Sequence, residues 1–291
     1  MSFASVRSAL PVNSLRLLST WLIMWLAAAA ALPGEVAWQS GLDLVAVFES
    51  SVARHLSLPA DEQAAYAKRL EAAFAQADVV LDGAQYVLLV DRSPRVQAAL
   101  IYWREADGAW HYIGAAPAST GKRGGFEYFL TPLGVFEHRV DNLDFRAEGT
   151  RNEFGVLGYG NKGMRVFDFG WVQGERTWDG GGKSLMRLQV HATDPGLLEP
   201  RLGEAASKGC IRIPADFNRM LDRYGLLDAD YEAALARGTS FWVLPPQRTP
   251  TPWSGRYLVI VDSERAQRPS WARPLPVRGA AGAMVEQAPQ C

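Results

Sequence analysis

The chain is poor in the residues that usually build metal and disulfide sites. Its 291 residues include only two cysteines and four histidines, and these are too scattered to have metal-ligand spacing. No glycine-rich nucleotide-binding loop occurs. The formal net charge is −1, and the absence of a long basic or acidic run argues against a nucleic-acid partner. We therefore predict a globular protein with no cofactor and no metal.

The chain also lacks an apolar run of the roughly twenty residues that a transmembrane helix needs. Its longest run, of about fifteen residues, follows two arginines near the N-terminus and ends in alanines. This order is typical of a secretory signal peptide. We predict a signal peptide over residues 1–31 and an exported protein of the periplasm or cell envelope. Cleavage after Ala37 and an uncleaved membrane anchor are the alternatives.

The scarcity of cysteine makes Cys210 informative. In an exported protein the usual role of a cysteine is a disulfide, and the other cysteine of the chain is Cys291, its last residue. The tail before Cys291 is rich in alanine, glycine and glutamine, which predicts a disordered end. The alternative role for Cys210 is a nucleophile, which needs a base. We predict that Cys210 is free and partly exposed.

Hydrophobic patterns predict a mainly β fold with helices. Residues 38–80 form an N-terminal segment with helical patterns over 41–56 and 58–78. From residue 83 onward, short apolar runs alternate with turn residues, which predicts a β-rich domain over 83–246. The remaining residues, 247–291, form a C-terminal extension.

The sequence predicts three further elements, which follow the cysteine. Pro214 and Gly225 mark the two ends of a helix that follows the cysteine. The pattern at 239–245 predicts the last strand of the domain. The apolar run at 255–264 predicts one more strand outside it.

His191 is the candidate base for Cys210. It ends a strand pattern and begins a turn-rich loop that leads to the cysteine. An imidazole in this place can take the thiol proton and form a thiolate–imidazolium pair. Gly209 allows a tight turn before the nucleophile, and backbone N–H groups there can hold an oxyanion. The alternative is a loop histidine beside an inert buried thiol. The other three histidines, for which we predict no role in the site, are His55, His111 and His138.

The stretch from Val190 to Pro214 resembles the catalytic signature of the L,D-transpeptidase family. That signature is a His, a loop, Ser/Thr-His-Gly-Cys, an apolar residue, and Arg or Asn. Here His191 is followed by fifteen residues and then by Ser207, Lys208, Gly209, Cys210, Ile211 and Arg212. Upstream, a glycine turn resembles a second family motif that continues with Thr131, Pro132, Gly134 and Phe136. The resemblance spans roughly residues 85–246.

This resemblance implies a β-sandwich catalytic domain that acts on peptidoglycan stem peptides. The family's donor is a stem tetrapeptide, cut between its third residue and the terminal D-Ala. The implied reaction has Cys210, assisted by His191, form a thioester with this peptide. An amine of a second stem then takes the peptide, which gives a cross-link between third residues. Hydrolysis follows if water is the acceptor.

Three other residues of the motif are candidate substrate-binding residues. Arg212 can pair with a substrate carboxylate, since guanidinium binds carboxylate with two hydrogen bonds, or it forms a surface ion pair. Ser207 is expected to support the turn by local hydrogen bonds. Lys208 stands where the family often has His, and it either binds substrate or oxyanion or is a solvated side chain. This departure bears on substrate preference, because the base is the earlier histidine.

Two other functions remain open from the sequence. One is a catalytically inactive cell-wall-binding module that kept the fold. The other is a cysteine peptidase or amidase that hydrolyses wall-linked peptides with the same His191 and Cys210.

Overall fold

The computed structural model describes residues 1–2 and 37–272. The predicted signal peptide lies almost wholly outside the described residues, and the predictions for Cys291 and its tail lie outside them as well. The described part of the chain contains four α-helices: α1 (Asp43–Ser51), α2 (Ala60–Gln76), α3 (Ala215–Arg223) and α4 (Ala229–Ala236). Its ten strands are β1 (Gln85–Asp91), β2 (Ala98–Arg104), β3 (Trp110–Pro117), β4 (Phe129–Leu130), β5 (Gly134–Glu137), β6 (Phe145–Arg146), β7 (Arg165–Arg176), β8 (Lys183–His191), β9 (Ile211–Arg212) and β10 (Tyr257–Val261).

The strands form two mixed sheets. The first has the order β3-β2-β1-β10-β5, in which β1 and β10 are parallel. The second has the order β4-β7-β8-β9, in which β8 and β9 are parallel, and β6 pairs with β7. Parallel neighbours cannot be joined by a tight hairpin. The chain from β8 to β9 therefore makes a long connection, residues 192–210, which ends at the cysteine.

The first sheet is covered on both faces. Leu88 and Val90 of β1 lie in a core shared with β7, β8, α1 and α3. Val87 and Leu89 lie in a second core with α2. Because alternate residues of a strand point to opposite faces, a strand covered on both sides is apolar throughout. This explains why β1 is buried along its whole length.

The prediction of a mainly β fold with helices is confirmed, and most predicted elements form. The predicted strand at 239–245 is wrong, because this segment curls into turns. The Leu244 N–H donates to the carbonyl of Phe241 at 3.1 Å. The Val243 carbonyl accepts from Nε of Arg146 at 2.9 Å, which takes it away from any strand partner.

Two further observations concern the described residues only. None of their helices is both long enough and apolar enough to cross a membrane. They also contain no group of three or more His, Cys, Asp or Glu side chains arranged to hold a metal ion.

Candidate active site

The parallel pairing of β8 and β9 brings His191 and Cys210 together. His191 lies opposite Arg212 in this pair. Cys210 directly precedes β9, and its Sγ lies 4.0 Å from Oε1 of Gln189. Gln189 and His191 point to the same face because they are two residues apart on one strand. Cys210 and His191 are therefore diagonal neighbours on one face of the second sheet.

The imidazole of His191 is fully buried and has a fixed orientation. Its Nδ1 lies 2.5 Å from the carbonyl oxygen of Ala192. Because a carbonyl oxygen can only accept, the neutral ring carries its proton on Nδ1 and presents Nε2 as an acceptor. Burial, and to a lesser extent the positive charge of Arg212, lowers the pKa of His191 to about 3. The imidazole is thus neutral at neutral pH, which is the form that a general base needs.

The prediction of a free and partly exposed Cys210 is wrong. Cys210 is disulfide-bonded, and its side chain is 1% exposed. The sulfur lies 3.9 Å from the Arg187 carbonyl and next to the Gln189 amide, and this cover leaves little of it for solvent. The only other cysteine in the sequence, Cys291, lies outside the described residues. A disulfide sulfur cannot attack a carbonyl, so the cysteine has to be reduced before it can act as a nucleophile.

The turn before Cys210 depends on Gly209 and Ser207. Gly209 has φ +140°, and a Cβ on it would lie 2.7 Å from Cε of Met186. Its N–H donates to Ser207 Oγ at 3.1 Å, and that hydroxyl donates to the Cys210 carbonyl at 2.5 Å. Thr131 Oγ1 donates to the Gly209 carbonyl at 2.7 Å. Ser207 thus supports the turn through local hydrogen bonds, and the Gly209 N–H is engaged within it.

Lys208 lies beside the cysteine and is paired with an acid. Its Nζ lies 2.9 Å from Oε2 of Glu127 and 5.7 Å from the centre of the Tyr128 ring. The Lys208 side chain is mostly buried, whereas that of Glu127 is exposed. A ligand carboxylate could therefore replace Glu127 without moving Lys208.

Arg212 is a buried cation. It is 5% exposed, and within the described part of the chain it has no ion pair and its Nε has no hydrogen-bond partner. Burial, with the positive charge of Arg201, lowers the pKa of Arg212 to about 10. The predicted surface ion pair of Arg212 is therefore not formed with any described carboxylate.

A groove with a volume of about 830 Å³ runs along β8 to Cys210. Leu185, Arg187 and Gln189 line it from alternate positions of β8. Other elements add aromatic rings and cations to its wall: Phe126, Phe129, Tyr159, Trp171, Arg176, Trp178 and Lys208. The carboxylates of Glu127 and Asp179 also line it. Of the six predicted site residues, Lys208 and Cys210 line the groove, whereas the other four do not: His191, Ser207, Gly209 and Arg212. A volume of this size lies within the range of small-molecule binding sites.

Three residues that the sequence analysis missed organise the site. Asp168 accepts hydrogen bonds from Nε of Arg187 at 2.7 Å and Nε2 of Gln189 at 2.8 Å. The Gln189 amide oxygen then faces Cys210 and accepts from the Tyr159 hydroxyl at 3.2 Å. The Tyr159 ring also contacts the His191 ring, with centroids 4.7 Å apart.

A β-bulge in β7 makes this arrangement possible. Asp168 lies opposite Gln189, and Trp171 lies opposite Arg187, so β7 has one residue more than β8 over this stretch. The extra residue brings Asp168 and Trp171 to the same face, as bulges next to active sites often do. The alternation of residues in the sequence predicts the opposite, since these two positions are an odd number of residues apart.

The chemistry that the site can perform is inferred from its own residues. A histidine with a fixed tautomer, a cysteine on the same sheet face and a groove with cations can together support acyl transfer through a thioester. No protein-family model matches the chain, and no curated protein is significantly similar to it.

Proposed function

We propose that this chain is an L,D-transpeptidase that acts on peptidoglycan stem tetrapeptides through a thioester on Cys210. The observation that carries the proposal is the shared sheet face of His191 and Cys210, which follows from the parallel pairing of β8 and β9. The Ser-Lys-Gly-Cys-Ile-Arg motif, which contains Cys210 and is separated from His191 by fifteen residues, gives this pair the family's order. A β-sandwich of the L,D-transpeptidase type is part of the proposal.

In the proposed acylation, His191 takes the Cys210 proton on Nε2, and the thiolate attacks the carbonyl carbon of the third stem residue. The proton then passes to the nitrogen of D-Ala as the carbon–nitrogen bond breaks, which leaves a thioester and free D-Ala. Formation of the thiolate supplies a negative charge beside the imidazole, which raises the pKa of His191 from its low value.

In the second half-reaction an acceptor amine attacks the thioester. His191 takes the amine proton and returns it to the sulfur as the carbon–sulfur bond breaks. The product is a peptide bond between two stems, and Cys210 is a thiol again. Water in place of the amine gives hydrolysis by the same steps.

The groove supports a substrate that carries both apolar and carboxylate groups. Trp171 and Leu185 are exposed apolar side chains of its wall. Lys208 and Arg187 line it as cations and are candidate partners of stem-peptide carboxylates. The role of Arg212 toward a substrate carboxylate stays a prediction, and its buried charge would also favour a thiolate at Cys210.

Carbapenem labelling tests the proposal, because the strained ring carbonyl of this drug is an acyl donor for an activated thiol. We expect the protein to form a covalent adduct only after treatment with a reductant, since Cys210 is disulfide-bonded in this structure. Cys210→Ala should form no adduct. His191→Ala should form it about 10²–10⁴-fold more slowly, the loss expected without a general base. Intact-protein mass spectrometry over time measures both effects.

A variant of the neighbouring cation serves as the control. Lys208→His should be acylated within about tenfold of the parent rate, because this position is proposed to bind and not to transfer protons. Full-speed acylation of His191→Ala would show that the base is another residue. A reduced protein that takes up no drug and does not change purified sacculi would instead be an inactive wall-binding module. Mass spectrometry of the sacculus products separates cross-linking from hydrolysis.

A further inference from the structure

Tyr159 contacts His191 directly and is linked to Cys210 through the amide of Gln189. Its ring lies against the His191 ring, with centroids 4.7 Å apart and an angle of 68° between the planes. Its hydroxyl donates to Oε1 of Gln189 at 3.2 Å, and that same oxygen lies 4.0 Å from Sγ of Cys210. Tyr159 also lines the groove. No motif in the sequence marks this residue.

The loop that carries Tyr159 is fixed to the strand end that carries His191. Asp194 accepts a hydrogen bond from the Leu157 N–H at 3.0 Å. Gly160 packs so closely that a Cβ on it would lie 3.0 Å from Cβ of Ala192, the residue whose carbonyl holds the imidazole. The Phe145 ring also packs against the Tyr159 ring in a T-shaped arrangement, with centroids 5.3 Å apart. These contacts leave the Tyr159 ring little freedom to move away from His191.

The amide of Gln189 has one orientation. Nε2 donates to the Asp168 carboxylate at 2.8 Å, so Oε1 has to point toward Tyr159 and Cys210. An amide oxygen can only accept, and the Tyr159 hydroxyl therefore donates to it. The hydroxyl connects Tyr159 to the cysteine side of the site, and the ring connects it to the histidine side.

We propose that Tyr159 is a positioning residue whose ring holds the imidazole of His191 in the orientation that presents Nε2 to Cys210. The ring blocks rotation of the imidazole on one side, while the Ala192 carbonyl holds Nδ1. The inference rests on the proposed role of His191 as the base of Cys210. It assigns the main effect to the ring and a smaller one to the hydroxyl.

Alkylation of the thiol tests this inference without a transpeptidase substrate. In a Cys291→Ser background, Cys210 is the only thiol of the chain, and iodoacetamide reports its thiolate fraction as iodide leaves and a carbon–sulfur bond forms. We expect Tyr159→Leu to shift the midpoint of the pH–rate curve upward by about one unit or more, toward the value of roughly 8.5 for an unassisted thiol. Tyr159→Phe, which keeps the ring, should stay within about 0.3 units of the parent.

The controls separate positioning from general loosening of the fold. Tyr112→Leu removes a half-buried tyrosine of β3 that donates to the Leu56 carbonyl, and it should leave the midpoint unchanged. The charged groups around the pair stay the same in all variants: Asp168 of β7, Arg187 of β8, Arg212 of β9, and Lys208. Long-range ¹H–¹⁵N spectra of the imidazoles should show the Nδ1–H tautomer of His191 in the parent and in Tyr159→Phe, and a tautomer mixture in Tyr159→Leu.

The outcomes are distinct. An unchanged midpoint and tautomer in Tyr159→Leu would overturn the positioning role. An equal shift of the midpoint in Tyr159→Phe would assign the effect to the hydroxyl. An equal shift in Tyr112→Leu would assign it to a general loss of stability. Either result overturns the inference as stated. A shift confined to Tyr159→Leu in a protein that carbapenems do not acylate would support the inference and contradict the proposed function.

Discussion

Gly209 is the residue at which backbone geometry limits the site most strongly. Its φ of +140° lies in a region that side chains rarely adopt. This conformation lets the Gly209 N–H reach Ser207 Oγ and the Gly209 carbonyl accept from Thr131. The sulfur of Cys210 consequently points to the same face as His191. A different backbone here would turn the sulfur away from the base.

Gly209→Ala should lower the free energy of unfolding by about 1–3 kcal/mol, the usual cost of a strained backbone position. The steric part of this loss is small, since the nearest atom to the new Cβ is the flexible end of Met186. Gly125→Ala is the matched control, because a Cβ there meets nothing within 4 Å, and it should be within about 0.5 kcal/mol of the parent. Urea unfolding midpoints measure both. Equal stability of the two variants would show that the turn can relax.

At the residue scale the sequence predicts the residues of the motif and their chemistry, but not the residues of other strands and loops that surround the motif. The pair His191 and Cys210 and the turn at Gly209 are close in sequence, and local patterns carry them. Asp168, Gln189 and Tyr159 reach the site through strand pairing and a bulge, which no local pattern encodes. The prediction of a free Cys210 is wrong, because composition alone does not decide between a thiol and a disulfide.

At the element scale, a buried ionic network joins β7 to the residues that directly precede β6 and α4. Arg165 of β7 is fully buried and contacts the carboxylates of Asp144 and Asp228, at 2.6 and 2.8 Å. His138 joins the same group, with Nε2 at 2.8 Å from Asp144. Asp144 also accepts from the Asp168 N–H at 2.8 Å, so the network extends to the residue that orients Gln189. Breaking one member of such a buried group costs about 3–5 kcal/mol, because its partners lose their compensation.

His138 and His191 should affect stability with opposite pH dependence. Burial opposes the charge of His138, but Asp144 and Asp228 outweigh it and raise the pKa above its ordinary 6.5. The stabilisation from His138 is therefore complete below pH 6.5 and is lost as the pH rises through the raised pKa. The pKa of His191 is lowered to about 3, so the unfolded state binds a proton that the folded state does not, and stability falls as the pH drops from 6.5 toward 3.

Urea unfolding of His138→Gln and His191→Gln at about pH 5, 7 and 9 tests this contrast. The destabilisation by His138→Gln should be largest at pH 5 and smallest at pH 9. The difference in free energy of unfolding between His191→Gln and the parent should shift in favour of the variant as the pH falls from 7 to 5. Parallel pH curves for the two variants would contradict the assignment of opposite pKa shifts.

Element positions illustrate what hydrophobic patterns can and cannot predict. The patterns predict α2, β1 and α3 well, because burial on one or both faces sets their periodicity. They fail at 239–245, where aromatic residues pack without strand pairing: the ring centroids of Phe241 and Tyr231 are 4.8 Å apart. A run of apolar residues indicates burial there, but strand formation also needs a partner for its backbone.

At the scale of the whole molecule, β10 connects the two halves of the first sheet. It pairs in parallel with β1 from Val87 to Asp91 and antiparallel with β5. Leu258 and Ile260 lie in the core shared with the second sheet, and Val259 lies in the core with α2. The sequence predicts a strand here but cannot predict its neighbours, because a parallel partner is distant along the chain. The predicted boundary of the catalytic domain at residue 246 would remove this strand.

A chain that ends at residue 246 should therefore fail to fold, whereas one that ends at residue 272 should fold. Loss of β10 leaves the edges of β1 and β5 that it pairs with without a partner. It also removes Leu258 and Ile260 from one core and Val259 from the other, and the burial of a single such side chain contributes about 1.5–3 kcal/mol. Loss of several is comparable with the whole stability of a domain, about 5–15 kcal/mol. Circular dichroism and urea unfolding of both chains, each beginning at residue 37, measure the difference. The chain to 272 contains Cys210 as its only cysteine, so alkylation of that thiol reports whether the site has formed. A cooperative unfolding transition in the chain to 246 would show that the remaining strands close the sheet without β10.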